Sequence, residues 1–170
     1  MSSPPLELDG LEDLPDLFAE LEDQLYNADF TQEMRDQIPH LQEIHRRHWT
    51  DQSDPGGTAW APLAESTIAR KGRRSGHQAA HSTILVDTGR LFESLVIGPA
   101  SSDSDRIRDV DHMDGGAFLV FGTAVPYSIF HDTGTSRMPA RVHVGMNSED
   151  VDEMAGRLAD AAVAKLREGG

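Results

Sequence analysis

The chain has 170 residues, a formal net charge of −14 and 38% hydrophobic residues, with no cysteine and a mean hydropathy of −0.46. That length suits one domain with a core plus an appended arm, and the composition lies on the polar side for a globular protein. Disulfides, thiol nucleophiles and thiolate metal sites are excluded, no run of about 18 apolar residues crosses a membrane, and M-S-S-P-P-L-E-L-D-G lacks the features of a secretory signal, so a soluble intracellular protein is expected.

Residues 1–30 carry nine carboxylates and no Lys or Arg, so much of the negative charge is N-terminal. Such a segment repels nucleic acid, docks on a basic protein partner or is simply a solvated helix face. Within it Leu11, Leu14, Leu17, Phe18, Leu21 and Leu25 recur at helical spacing, which predicts a helix to about Tyr26 with Pro15 in its first turn. Asn27, Ala28 and Asp29 break it. A second helix is expected from Thr31, with Met34, Ile38, Leu41, Ile44 and Trp49 as its apolar series and Pro39 kinking or splitting it. The division is therefore an acidic helical arm, 1–30, and a domain, 31–170.

D-Q-S-D-P-G-G at 51–57 reads as a turn, after which Trp60 and Leu63 look like anchors and Ser66 starts a short helical turn. Residues 72–83 have almost nothing to bury and read as a long exposed loop of the kind that meets partners. The segment 84–95, I-L-V-D-T-G-R-L-F-E-S-L, runs three aliphatic residues into an Asp-Thr-Gly turn. Asp87 or Thr88 can cap the following helix, Gly89 supplies the change of direction, and Leu91, Phe92 and Leu95 share one side. Beyond it the period shifts towards two, predicting strands near 95–100, 106–111, 117–122 and 141–146. Residues 127–132 read as a short helix or turn, and a last helix starts at Ser148, with Val151, Met154, Leu158, Ala161, Ala162 and Leu166 as its apolar series. The expected fold is α+β: N-terminal helices, a mainly antiparallel sheet of about four strands, and a C-terminal helix packed on the sheet.

A second Asp-Thr-Gly, at 132–134, raises the paired aspartates of an aspartic protease. The 45-residue separation is too short for two lobes, and two loops are one too many for half of a dimer. Arg90 follows Gly89 where a small residue is needed, and His131 precedes Asp132 where an apolar one is needed. Both read as capping turns. His40, His45 and His48 share a helix but form no H-E-x-x-H motif, so no metal site is assigned, and His77 and His81 in the polar loop give no better support. Arg70, Lys71, Arg73 and Arg74 concentrate positive charge without interleaved aromatics, which favours salt bridges over specific nucleic-acid recognition. No catalytic residue and no cofactor is assigned. Lys occurs only at 71 and 165 and Asp outnumbers Glu by eighteen to eleven, a balance that suits a salt-saturated host cytoplasm. A halophilic host is therefore expected.

Four blocks occur in order: H-R-R-H-W-T-D-Q-S-D-P-G-G-T-A-W-A-P-L (45–63), S-T-I-A-R-K (66–71), the 84–95 segment, and V-P-Y-S-I-F-H-D-T-G followed by M-P-A-R-V-H-V-G-M (125–146). Together they resemble the phage virion-morphogenesis, or tail-completion, family of Mu-like phages, over residues 45–160. Two departures stand out. Ser128 occupies a position that is usually alanine, and Asp132-Thr133 replaces a Gln-Phe-like pair before Gly134. The resemblance implies a non-enzymatic structural virion protein of the neck, one subunit of a homo-oligomeric ring, six-fold favoured, that completes the tail or joins it to the head. A tail-terminator or head-tail adaptor ring is the nearest alternative, and an aspartic maturation protease the alternative of another class. It further implies other neck, connector or tail-tube proteins as partners, DNA passing through the lumen without specific recognition, no membrane, and residence in the virion after assembly in the host cytoplasm. In that setting Trp60 and Leu63 anchor the linker, and Asp87, Thr88 and Gly89 cap the helix that carries Leu91. Tyr127, His131 and Gly134 shape a tight turn, and Pro139 and Arg141 lead back into the sheet, with Arg141 in a buried or intersubunit ion pair. The loops 72–83 and 133–138 are the expected contacts to ring neighbours.

Overall fold

Residues 14–74, 83–98 and 101–168 are described by a computed structural model. Leu11, His77, His81 and most of the expected loop at 72–83 lie outside the described residues. Helix α1 (Leu14–Asn27) carries its leucines on one stripe and accepts Pro15 in the first turn. Helices α2 (Thr31–Asp36) and α3 (Ile38–Asp51) are one apolar series divided at Gln37, because Pro39 has no N–H to give an upstream carbonyl. Helix α3 stops at Gln52, which takes the left-handed conformation at φ 52°. Its amide then joins three segments: it donates to Trp49 O (2.7 Å), accepts from the Ile84 N–H (2.7 Å), and its backbone carbonyl receives the Trp60 N–H (2.8 Å).

Helix α4 (Glu65–Arg74) runs further than the single turn expected from Ser66, and α5 (Arg90–Val96) follows the first Asp-Thr-Gly. Strands β1 (Arg106–Met113) and β2 (Gly116–Thr123) pair antiparallel from Arg106↔Thr123 to Met113↔Gly116. Helix α6 (Ser128–Thr133) and the long α7 (Ser148–Glu168) complete the chain, α7 lying chiefly against α1 and α2. Asn147 and Asp150 cap α7 reciprocally, the Asp150 N–H donating to Asn147 Oδ1 (2.8 Å) and the Asn147 N–H to Asp150 Oδ2 (3.2 Å).

The α+β class holds, but the sheet has two strands, not four. Residues 95–98 do not form a strand because Leu91, Leu95 and Val96 are buried as the inner face of α5. The Arg108 guanidinium closes that helix by donating to Ser94 O (2.9 Å) and Leu95 O (2.8 Å), a cation set at a helix C-terminus. It also donates to Gly122 O (2.8 Å) and lies 3.8 Å above the Phe121 ring, so α5 is tied to the hairpin through one side chain. Residues 141–146 alternate in burial as a strand would, yet no strand lies beside them. Their N–H groups go elsewhere: Arg141 to His131 O (2.6 Å), His143 to Asp132 Oδ1 (2.9 Å) and Gly145 to His45 Nε2 (3.4 Å).

The core gathers Trp49, Trp60, Ile84, Leu91, Leu95, Val96 and Val125. Trp49 is its hub, edge-on to Trp60 (5.5 Å), Phe92 (5.4 Å) and His143 (5.7 Å). Beside it His45 and His48 are buried, and burial holds His45 down at about 4 and lowers His48 as well. Protonation therefore favours the unfolded chain, whose histidines titrate near their usual value. The His45 contribution to stability is complete above about pH 6.5 and falls by about 3 kcal/mol as pH drops towards 4, since a tenfold difference in proton affinity between the two states is worth about 1.4 kcal/mol. We expect the urea midpoint to decline steadily over that window and His45→Gln to flatten the slope; a midpoint unchanged across it would overturn the assignment.

Candidate functional site

The Asp-Thr-Gly turn at 87–89 places Gly89 at φ 87° as the residue before α5, a conformation that suits glycine. The expected cap is barely made. Gly89 has no side chain with which to cap α5, and Thr88 Oγ1 accepts a long bond, 3.4 Å, from the Arg90 N–H. The turn is fixed one residue further on, where the Arg90 guanidinium donates to both oxygens of Asp105 (2.9 and 2.5 Å) at the base of β1. That pairing holds the buried Asp105 carboxyl well below its usual range.

Around this turn a cleft of about 520 Å³ opens between α4, the 85–89 segment and α6. Leu63, Leu85, Val86 and Leu91 make its apolar wall, and Asp87, Thr88 and Gly89 its edge. Tyr127 and His131 close the far side with rings at right angles, 6.0 Å apart. Arg70 and Lys71 come from α4; Lys71 is buried, donates to Thr83 O (2.7 Å), and has its pKa lowered by burial against the pull of Asp87. Burial lowers His131 too, and its Nδ1 has no hydrogen-bond partner among the described residues. The cleft is thus apolar inside and cationic on the α4 side.

The other predicted residues form a clamp behind it. The Trp60 indole N–H donates to Val142 O (2.8 Å). Arg141, 6% exposed, returns the contact by donating Nε to Ala61 O (2.9 Å) and a terminal N–H to Pro62 O (3.1 Å). Among the described residues its partners are therefore carbonyls and not a carboxylate. Gly134 sits at φ 72° with no room for a side chain, since a Cβ there would lie 2.7 Å from Ala140 N. The tight Thr135–Met138 bridge follows, and Pro139 ends it where no N–H is needed. So Leu63, Asp87, Thr88, Gly89, Leu91, Tyr127 and His131 meet at the cleft, while Trp60, Gly134, Pro139 and Arg141 hold the segment behind it.

One set of residues was not singled out from the sequence. His143 is wholly buried; its Nδ1 lies 2.9 Å from Asp132 Oδ1, and the Ser128 hydroxyl donates to its Nε2 (2.9 Å). Burial alone would raise Asp132, but the His143 hydrogen bonds outweigh it and keep the carboxyl below its ordinary value. Serine, histidine and aspartate in that order have the form of an acyl-transfer triad. Here Ser128 is 7% exposed, and neither it nor His143 lines any of the described cavities. The set pins residues 141–145 to α6. Its signal in the sequence was the pair of departures at Ser128 and Asp132, both of which bond to His143.

Two substitutions test the clamp. Arg141→Lys keeps the charge but loses the fork that serves two buried carbonyls, and should cost about 1–3 kcal/mol in urea unfolding. Gly134→Ala meets both a positive φ and a backbone clash and should cost at least about as much. Wild-type midpoints for both would remove the clamp from the account.

The profile of the phage virion morphogenesis family matches residues 9–162. No curated protein and no solved structure matches the chain. Over nearly its whole length, and through the cleft and clamp its motifs build, the chain belongs to the phage virion morphogenesis family.

Proposed function

We propose that this protein is a ring-forming subunit of the virion neck that completes the tail or joins it to the head. The observation that carries this is the balance of apolar surface. Among the described residues nine hydrophobic side chains are buried, while sixteen large ones are exposed, including Leu17, Phe18, Ile129 and Phe130. A protomer with more large apolar groups outside than inside is suited to burying them against other subunits. Membership of a virion-assembly family names the setting in which that burial takes place.

The charge agrees with a conduit. A net −14 disfavours phosphate contacts, so DNA would cross the ring without being held. A catalytic reading of the two Asp-Thr-Gly turns has little to support it. Asp87 lies against Lys71 and Asp132 against His143, so each aspartate has its own partner and no proton is shared.

An early stop codon in the gene should yield full heads and finished tails that stay separate, seen by electron microscopy of the lysate and restored by supplying the protein. The purified chain should run in light scattering as a discrete assembly, six-fold favoured, in high salt and in low. Normal virions without the protein would overturn the neck role. An assembly with a basic lumen would defeat the conduit.

A further inference from the structure

The first half of α1 is an amphipathic helix with its apolar side uncovered. Leu14 is 36% exposed, Leu17 49% and Phe18 63%; Phe18, at the edge, borders the groove in which Leu21 and Leu25 lean on the body beside Ala162 and Leu166. The same helix carries Asp16, Glu20, Glu22 and Asp23 and no Lys or Arg. The cleft has the opposite character. It is apolar within and edged by Arg70 and Lys71, with Arg73 exposed on the same helix. Its volume of about 520 Å³ lies in the roughly 300–1,000 Å³ range of pockets that enclose a ligand the size of a few side chains.

The two surfaces stand at opposite ends of the hairpin. Tyr26 of α1 packs over the β-turn, its ring 3.0 Å from where a Cβ of Gly115 would be. The cleft lies beyond the other end, where Arg90 grips Asp105 ahead of β1 and Tyr127 follows β2. Strands of eight residues span roughly 25 Å, and no residue of α1 lines the cleft of its own protomer.

We propose that α1 of one copy lays Leu14, Leu17 and Phe18 into the cleft of a second copy, its carboxylates facing the α4 cations. This rests on the ring reading above and gives it an interface: helix in groove, head to tail, a contact that closes into a ring when the rotation allows. The charge match sets which face meets which and speeds encounter, and the apolar side chains supply the burial.

The test uses the full chain and two double variants at exposed positions, Leu17→Lys with Phe18→Lys, and Arg70→Glu with Arg73→Glu. Unchanged circular dichroism and thermal midpoints establish that each is folded. Wild type should be a discrete assembly and each variant alone a monomer. The two mixed in equal amounts should give dimers and nothing larger, because each brings one intact face. Variants that assemble as wild type would overturn the interface and leave the ring reading standing, with a different partner for α1. A helix variant that fails while the cleft variant assembles would mean that α1 meets some other face of its neighbour, which overturns the cleft as its seat. Variants that stay monomeric when mixed would overturn the pairing of these two faces. A wild-type chain that is itself a monomer would overturn both readings.

Discussion

The fold depends on how residues 141–145 satisfy their backbone groups. This segment runs through the buried part of the protein without a strand beside it, and a buried N–H left unbonded costs a sizeable share of a small domain's stability. Each alternate N–H therefore has a dedicated acceptor: the end of α6 for Arg141, the Asp132 carboxylate for His143, the His45 ring for Gly145. The carbonyl between them takes the Trp60 indole. Side chains of the segment are bonded to the same neighbours, Arg141 donating to Ala61 and Pro62, and His143 Nε2 accepting from Ser128. Because donors and acceptors interlock from both sides, α3, α6 and the 60–62 linker are positioned together, and the cleft inherits its shape from them.

Charge inside the protein is handled in two ways. Burial pushes His45 and His48 down and keeps them neutral, and a single hydrogen bond to Leu41 O serves the His45 Nδ1. Arginine cannot take that course. Arg108 is lowered by burial only to about 10 and stays a cation, so it must be surrounded by oxygen. It receives four carbonyls, two of them at the end of α5 where the helix dipole favours positive charge. Removing such a cation's partners leaves the desolvation cost uncompensated, which is why both Arg108 and Arg141 sit where several carbonyls converge.

Helices were legible in the sequence because their apolar residues repeat with a helical period: α1, α7 and the α2–α3 split at Pro39 all follow from spacing and one missing N–H. The hairpin was legible from alternation between glycine-containing turns. Of the strands expected at 95–100 and 141–146, neither forms over the described residues, and the reason is physical. Period two in burial says only that a segment is extended with one side inward, and is silent on what its N–H groups meet. A lone arginine capping α5 and a histidine pinned by a serine and an aspartate are contacts distant in sequence that composition does not announce. The cleft residues were found as motif positions, but that Leu63, Asp87 and His131 share one cavity needed the fold.

A two-stranded hairpin is marginal by itself, and here α2, α5 and the Arg108–Phe121 stack support it. Its role is then one of separation. By holding the turn end against Tyr26 of α1 and the open end against Asp105 and the cleft, it sets the end of an acidic apolar helix and a cationic apolar cleft at opposite ends, and no residue of that helix lines the cleft of its own protomer. A chain with two unlike, mutually complementary ends cannot quench them by a two-fold contact that uses one patch twice. When each end passes to a different neighbour the contact is head to tail, and it closes into a ring or runs on as a filament according to the rotation. In the ring proposed above, that polarity, more than any single residue, is what assembly would use.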